Sequence, residues 1–140
     1  MLPRVLGLSL CLCAGLFVVA CGSQKDLAAA DVAVTRFHQQ LDSEDYAAIY
    51  TQADQRFRDV TKQDDFIALM TAVHRKLGRV GSATRQGFFV NYNTSGTRIR
   101  TTYGTKFSDG DAQEQFVWSK SGGNVALLGY NIQSNSLVVK

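Results

Sequence analysis

The chain has 140 residues, 45% of them hydrophobic and 19% charged, with one proline, three cysteines and a formal net charge of +3. The length suits one compact domain better than two. The basic residues are scattered among acidic ones without a stripe or run of like sign, so the charge does not describe a nucleic-acid-binding surface.

Chain order begins with Met1 to Arg4, a minimal charged start, followed by fifteen apolar residues from Val5 to Val19. Crossing a bilayer takes about 20 apolar residues, so this stretch fits the core of a signal peptide better than a span. It runs into Val18-Val19-Ala20-Cys21-Gly22-Ser23. The small residue directly before a cysteine resembles a bacterial lipoprotein signal of the Leu-Ala-Gly-Cys type, with Val18 and Val19 departing from the commonest residues. The resemblance implies cleavage after Ala20, a diacylglyceryl group on the Cys21 sulfur, and acylation (such as palmitate) of the new amino group. It also implies export to the periplasm and, because Gly22 is not aspartate, a place at the outer membrane. Ordinary secretion after Ala20 and an uncleaved helix remain open as alternatives.

Removal of residues 1–20 would leave 120 residues and, with Arg4 gone, a charge of +2. Cys11 and Cys13 would leave with the signal, and lipid would occupy Cys21. The exported part would then have neither disulfide nor thiol, and would depend on its hydrophobic core. Residues 21–25 read as a short lipidated tether, and residues 26–140 as one domain.

From Asp26 the pattern is helical, with Ala30, Val34, Phe37 and Leu41 forming an apolar stripe. Asp26 is the expected cap. Ser43 or Asp45 offers the next cap, for a short helix through Tyr46, Ile49 and Tyr50. Thr61 is the expected cap of a third helix, with Asp64 and Asp65 at its positive end. Phe66, Leu69, Met70, Val73 and Leu77 form the expected buried face, and Gly78 the stop.

Beyond Gly78 the period changes to that of strands, near residues 82–92, 97–107, 112–120 and 125–133. Short glycine-bearing loops between them predict an antiparallel meander. A turn at Asp109-Gly110 would set Phe107 opposite Ala112, Thr105 opposite Glu114, Tyr103 opposite Phe116 and Thr101 opposite Trp118. Ile99, Tyr103, Phe107, Phe116 and Trp118 then share one face, and Arg98, Arg100, Lys106, Gln113 and Gln115 the other. In the last strand, a two-residue Gly122-Gly123 turn buries Leu127, whereas a three-residue loop buries Leu128, Tyr130 and Ile132. The second is preferred for its larger buried area, and places Tyr130 opposite Glu114.

The expected class is therefore α+β: about three N-terminal helices packed on a curved four-stranded antiparallel meander. This order resembles the nuclear-transport-factor-2-like (cystatin-like) superfamily, and more narrowly a bacterial exported family of unknown function. The resemblance rests on Asp45-Tyr46 before Ile49-Tyr50, Phe57-Arg58, Phe66 followed by Leu77-Gly78, Tyr103-x-Thr105-x-Phe107, Glu114-x-Phe116 and Gly129-Tyr130-x-Ile132. Val125 to Leu128 departs from the tryptophan often found before the Gly-Tyr pair. The resemblance implies a sheet wrapped round a helix as a cone, in a superfamily that holds isomerases, dehydratases and binding modules.

Glu114 is the first candidate for chemistry, as the one acid on the aromatic face of the hairpin. Beside apolar groups a carboxylate can serve as acid or base. The structural alternative bonds it to Thr105 or Tyr130. With Tyr103, Tyr130 or Tyr46 as hydroxyl donor it could form an isomerase-like site, and Trp118 completes the candidate pocket. His38 and His74 adjoin buried residues and are read as flanking them. Neither shows metal-ligand spacing, so no metal or other cofactor is expected. The expected function is a non-enzymatic binding or assembly module of the cell envelope. The alternatives are a small-molecule isomerase or lyase using Glu114, and a structural dimerisation domain. The expected partners are membrane lipid through Cys21, an envelope protein or small ligand, and a second copy.

Overall fold

The helical stripe belongs to a longer helix than its apolar residues suggest. The computed structural model describes residues 20–139, so the signal core read in residues 1–19 lies outside the described residues, as do the side chains of Ala20 and Cys21. Helix α1 runs Ala20–Asp42, so residues 21–25, read as a tether, are helical. It buries Leu27, Ala30, Val34, Phe37 and Leu41 as a 3.6-period stripe demands. Asp26 is not its cap: it is 4% exposed, accepting from the Tyr92 hydroxyl at 3.0 Å and pairing with Lys120.

Glu44 turns the chain with φ +59°, and Asp45 caps α2 (Tyr46–Thr51) by accepting from the Ala48 amide at 3.3 Å. A helix not expected from sequence follows, α3 (Gln55–Val60), capped by Asp54. Thr61 closes α3 and does not start the next helix, its amide donating to the Phe57 carbonyl. Its own carbonyl accepts from the Tyr50 hydroxyl at 2.7 Å. Helix α4 (Gln63–Leu77) therefore begins after Lys62, without a side-chain cap. Phe66, Met70, Val73 and Leu77 are buried as expected, but Leu69, at the stripe's edge, is 43% exposed.

Gly78 ends α4 at φ +78°, ψ −152°, a conformation essentially confined to glycine. Four strands then form an open antiparallel sheet in the order β1-β2-β3-β4: β1 Val80–Asn93, β2 Gly96–Phe107, β3 Gly110–Ser121 and β4 Asn124–Gln133. A short α5 (Asn135–Val138), also unforeseen, closes the chain, with Lys76 donating to the Leu137 carbonyl at 2.8 Å.

The central hairpin has the expected faces in a different register. Phe107 lies opposite Gly110, Thr105 opposite Ala112, Tyr103 opposite Glu114 and Thr101 opposite Phe116. The turn is Ser108-Asp109, because the amides of Ser108 and Asp109 donate to the carbonyls of Arg79 and Leu77, both at 2.8 Å. Docking on the end of α4 thus selects the turn, and a slide of two residues leaves every side chain on its expected face.

In β4 neither expected register holds throughout. Gly122-Gly123 makes the two-residue turn and puts Leu127 opposite Trp118, but Val117 then pairs with Gly129. Leu128 is the extra residue of a bulge, which reverses the alternation and sets Tyr130 opposite Phe116 and Ile132 opposite Glu114. The strand thereby turns both Leu127 and the pair Tyr130 and Ile132 toward the core. Two further bulges interrupt β1, at Gly81 and Gln86.

Phe116 is the hub of the interior. Trp118 stacks on it at 5.5 Å, while Phe37, Tyr103 and Tyr130 approach at 5.1, 5.8 and 5.1 Å. Such offset and edge contacts suit aromatic quadrupoles and bury large apolar areas.

Candidate functional site

Glu114 points inward from β3 because it alternates with Phe116 and Ala112 on the buried face. It is completely buried, with 0% exposure. An isolated carboxylate there would be prohibitively costly, and both of its oxygens are engaged. Oε2 accepts from the Thr105 hydroxyl at 2.6 Å and lies 2.7 Å from Nε2 of His38. Oε1 accepts from the Tyr130 hydroxyl at 2.7 Å. Against an ionised carboxylate, which only accepts, the His38 hydrogen would sit on Nε2.

Each partner comes from a different element. Thr105 and Tyr130 are diagonal neighbours of Glu114 on β2 and β4, close enough for long or hydroxyl-bearing side chains to meet. His38 descends from α1, so the cluster ties the helix to the three strands. The sequence reading named Thr105 and Tyr130 but set His38 beside the stripe. His38 stands four residues after Val34 and three before Leu41, a spacing that places it on the stripe itself, and it is 6% exposed. That spacing was the available signal.

The other candidate pocket residues do not converge on Glu114. Tyr103 sends its hydroxyl to Asp31, which also receives Arg85. Burial, then the Asp31 hydrogen bond and charge, pushes the Tyr103 phenol well above its usual range. Tyr130 is raised too, by burial first and then by the charge and hydrogen bond of Glu114. Both phenols are thus held as donors. Trp118 packs against Phe116, Tyr46 is buried in α2, and the half-buried His74 lies 3.7 Å from Glu44.

A second polar knot holds α3 to the sheet. Asp54 accepts from the backbone and guanidinium of Arg56 at 2.9 Å and from the Ser119 hydroxyl, while its amide donates to the Leu127 carbonyl at 2.8 Å. The side-chain bond from Arg56 is the main reason its carboxyl lies well below the usual range; burial opposes this, and the Ser119 bond reinforces it.

Glu114 itself lines neither of two open spaces that its partners Thr105 and Tyr130 border. A groove of about 610 Å³ is lined by Thr84, Gln86, Lys106, Asp111, Gln113 and Gln133, among others. A smaller cleft of about 220 Å³ lies between Phe57, Thr61, Asp65, Phe66, Leu69 and the ring of Tyr130. No helix among the described residues is long and apolar enough to cross a membrane.

These features define an α+β domain in which helices cover one face of an open four-stranded meander, with a saturated carboxylate at their junction. The family model described as "Protein of unknown function (DUF4019)" matches residues 33–130, and the chain belongs to that family. The matched range contains His38, Thr105, Glu114 and Tyr130, and excludes Cys21 and α5. No curated protein matches the chain.

Proposed function

We propose that the protein is a lipid-anchored, non-enzymatic binding or assembly module at the periplasmic face of a bacterial outer membrane, built on a nuclear-transport-factor-2-like (cystatin-like) domain. The observation that carries the non-enzymatic part is the filled interior. Phe66, Tyr103, Phe116 and Trp118 are 3, 4, 0 and 4% exposed, and Glu114 has no exposed surface. An acid–base residue must come within hydrogen-bond reach of a substrate proton. Here three side chains of the protein occupy that reach, and the Tyr130 proton is already committed to Glu114.

The binding role falls to the surface. The groove beside Gln86 and Gln113 offers amides, hydroxyls and one charge of each sign, Lys106 and Asp111, suited to a polar ligand or an envelope protein. The anchor rests on Cys21 and its preceding apolar run. Several acyl chains on one residue, each buried methylene contributing about 0.8 kcal/mol, would hold the domain at the bilayer.

Membrane fractionation of a Cys21→Ser variant tests the anchor: it should move from the membrane to the soluble fraction once the signal is removed. A processed variant that stays with the membrane would overturn the anchor. A small-molecule turnover lost in Glu114→Gln, with the fold intact, would overturn the non-enzymatic reading.

A further inference from the structure

Strand β1 is the longest in the sheet, at 14 residues, and it lies at the edge, hydrogen-bonded among the described residues to β2 alone. Edge strands carry a row of unpaired amides and carbonyls, which proteins usually shield with charged side chains, proline or bulges. The two bulges of β1 lie at Gly81 and Gln86, and beyond them Gly87 to Asn93 runs in unbroken register with β2. That stretch, Gly-Phe-Phe-Val-Asn-Tyr-Asn, contains no charge and no proline. Phe88, Phe89 and Tyr92 are 58, 59 and 60% exposed. The nearest charged residue of the strand, Arg85, is engaged by Asp31.

Backbone direction follows from the hairpin. Asn93 and Gly96 flank a two-residue turn and so form a hydrogen-bonded pair, with Asn91, Phe89 and Gly87 continuing that set toward β2. The amides and carbonyls of Phe88, Val90 and Tyr92 therefore point away from the sheet. A lipid surface or a compact ligand cannot satisfy such a row; an extended strand can.

We propose that the exposed edge of β1 pairs antiparallel with β1 of a second copy about a two-fold axis at Val90, joining two sheets into one of eight strands. Val90 would exchange both hydrogen bonds with its own counterpart, and Phe88 with Tyr92 of the second copy, twice over by symmetry. On one face Phe88 meets the second copy's Tyr92, an aromatic cross-strand pair. On the other, Phe89 meets its Asn91. No like charges are set opposite each other, which is what self-pairing requires. Three aromatic side chains per copy, each more than half exposed, contribute to the about 1,000 Å² that a specific interface needs. The pairing is independent of the anchor at Cys21 and of any ligand in the groove.

Sedimentation velocity on the detergent-solubilised full chain, from micromolar to submillimolar concentration, tests the pairing together with amide hydrogen exchange. A dimer is expected, with exchange at Phe88, Val90 and Tyr92 slowed by about tenfold or more on dimerisation. Phe88→Lys places a charge in the seam, and Val90→Pro removes an amide that β2 does not use. Both should be monomeric with an unchanged circular dichroism spectrum, while Val60→Lys, on the distant α3, should remain a dimer. A wild-type monomer at every concentration would overturn the proposal. So would a dimer that persists in both edge variants, which would put the interface on another surface.

Discussion

Glu114 shows how one polar residue can be both the most reactive-looking side chain and a structural tie. Its carboxylate is shared by Thr105, Tyr130 and His38, so removing it leaves three buried polar groups without their partner. Breaking such a buried set from one side typically costs about 3–5 kcal/mol. Glu114→Ala should therefore lower unfolding free energy by about that amount in urea titration, whereas Thr105→Val, which deletes one donor, should cost less than half as much. The candidate chemistry was legible as far as Glu114 and Thr105, since strand alternation alone places them on one face, whereas Tyr130 joins them only through the bulge at Leu128. His38 was hidden because its neighbour Phe37 already accounted for the stripe, and only the packed α1 shows both residues facing inward.

Among the elements, the junction between α4 and β1 carries the tightest constraint. Gly78 combines φ +78° with a close approach of Ser108 and Asp109, whose side chains occupy the space a Cβ would need. Gly78→Ala should cost about 2 kcal/mol through backbone strain, with more from displacement of the β2–β3 turn. Thermal melts of that variant beside a Gly122→Ala control, which has φ +60° but where a Cβ meets nothing within 4 Å, would separate the two contributions. The α4 stop and the four strands were readable from sequence, because glycine and a change of period are local signals. Helix α3 was not, as Phe57 is its one buried side chain and a single apolar residue displays no repeat, unlike Tyr46 and Ile49 in the equally short α2. Its cap Asp54 was ambiguous until Ser119 and Leu127 came beside it.

The molecule as a whole is laced by polar contacts from α1 to the sheet. Asp26 reaches Tyr92 and Lys120, Asp31 reaches Arg85 and Tyr103, His38 reaches Glu114, and Asp42 accepts from the Val80 amide at 3.0 Å. The pH range of the fold follows from Asp54, Tyr103 and Tyr130. Asp54 has a lowered folded-state pKa, so its contribution is present above the unfolded value near 4 and is lost as pH falls below it. Tyr103 and Tyr130 are raised, so their contribution is complete below the unfolded value of about 10 and is lost as pH rises above it. Chemical denaturation across pH should show a plateau bounded at those two values, with the acid limb reduced in Asp54→Asn and the alkaline limb in Tyr130→Phe.

The class of the fold, the order of its strands, the faces of its central hairpin and the special context of Cys21 can be read from the chain before any packing is known. These follow from period, glycine placement and local composition, all of which act over a few residues. Tertiary structure alone decided the two-residue slide at Ser108-Asp109, the bulge at Leu128 and the recruitment of His38. Each was settled by a surface distant in sequence: the end of α4 against a turn, the aromatic core against β4, and α1 against a buried carboxylate. Local signals fix which way a side chain faces; only packing fixes what it meets.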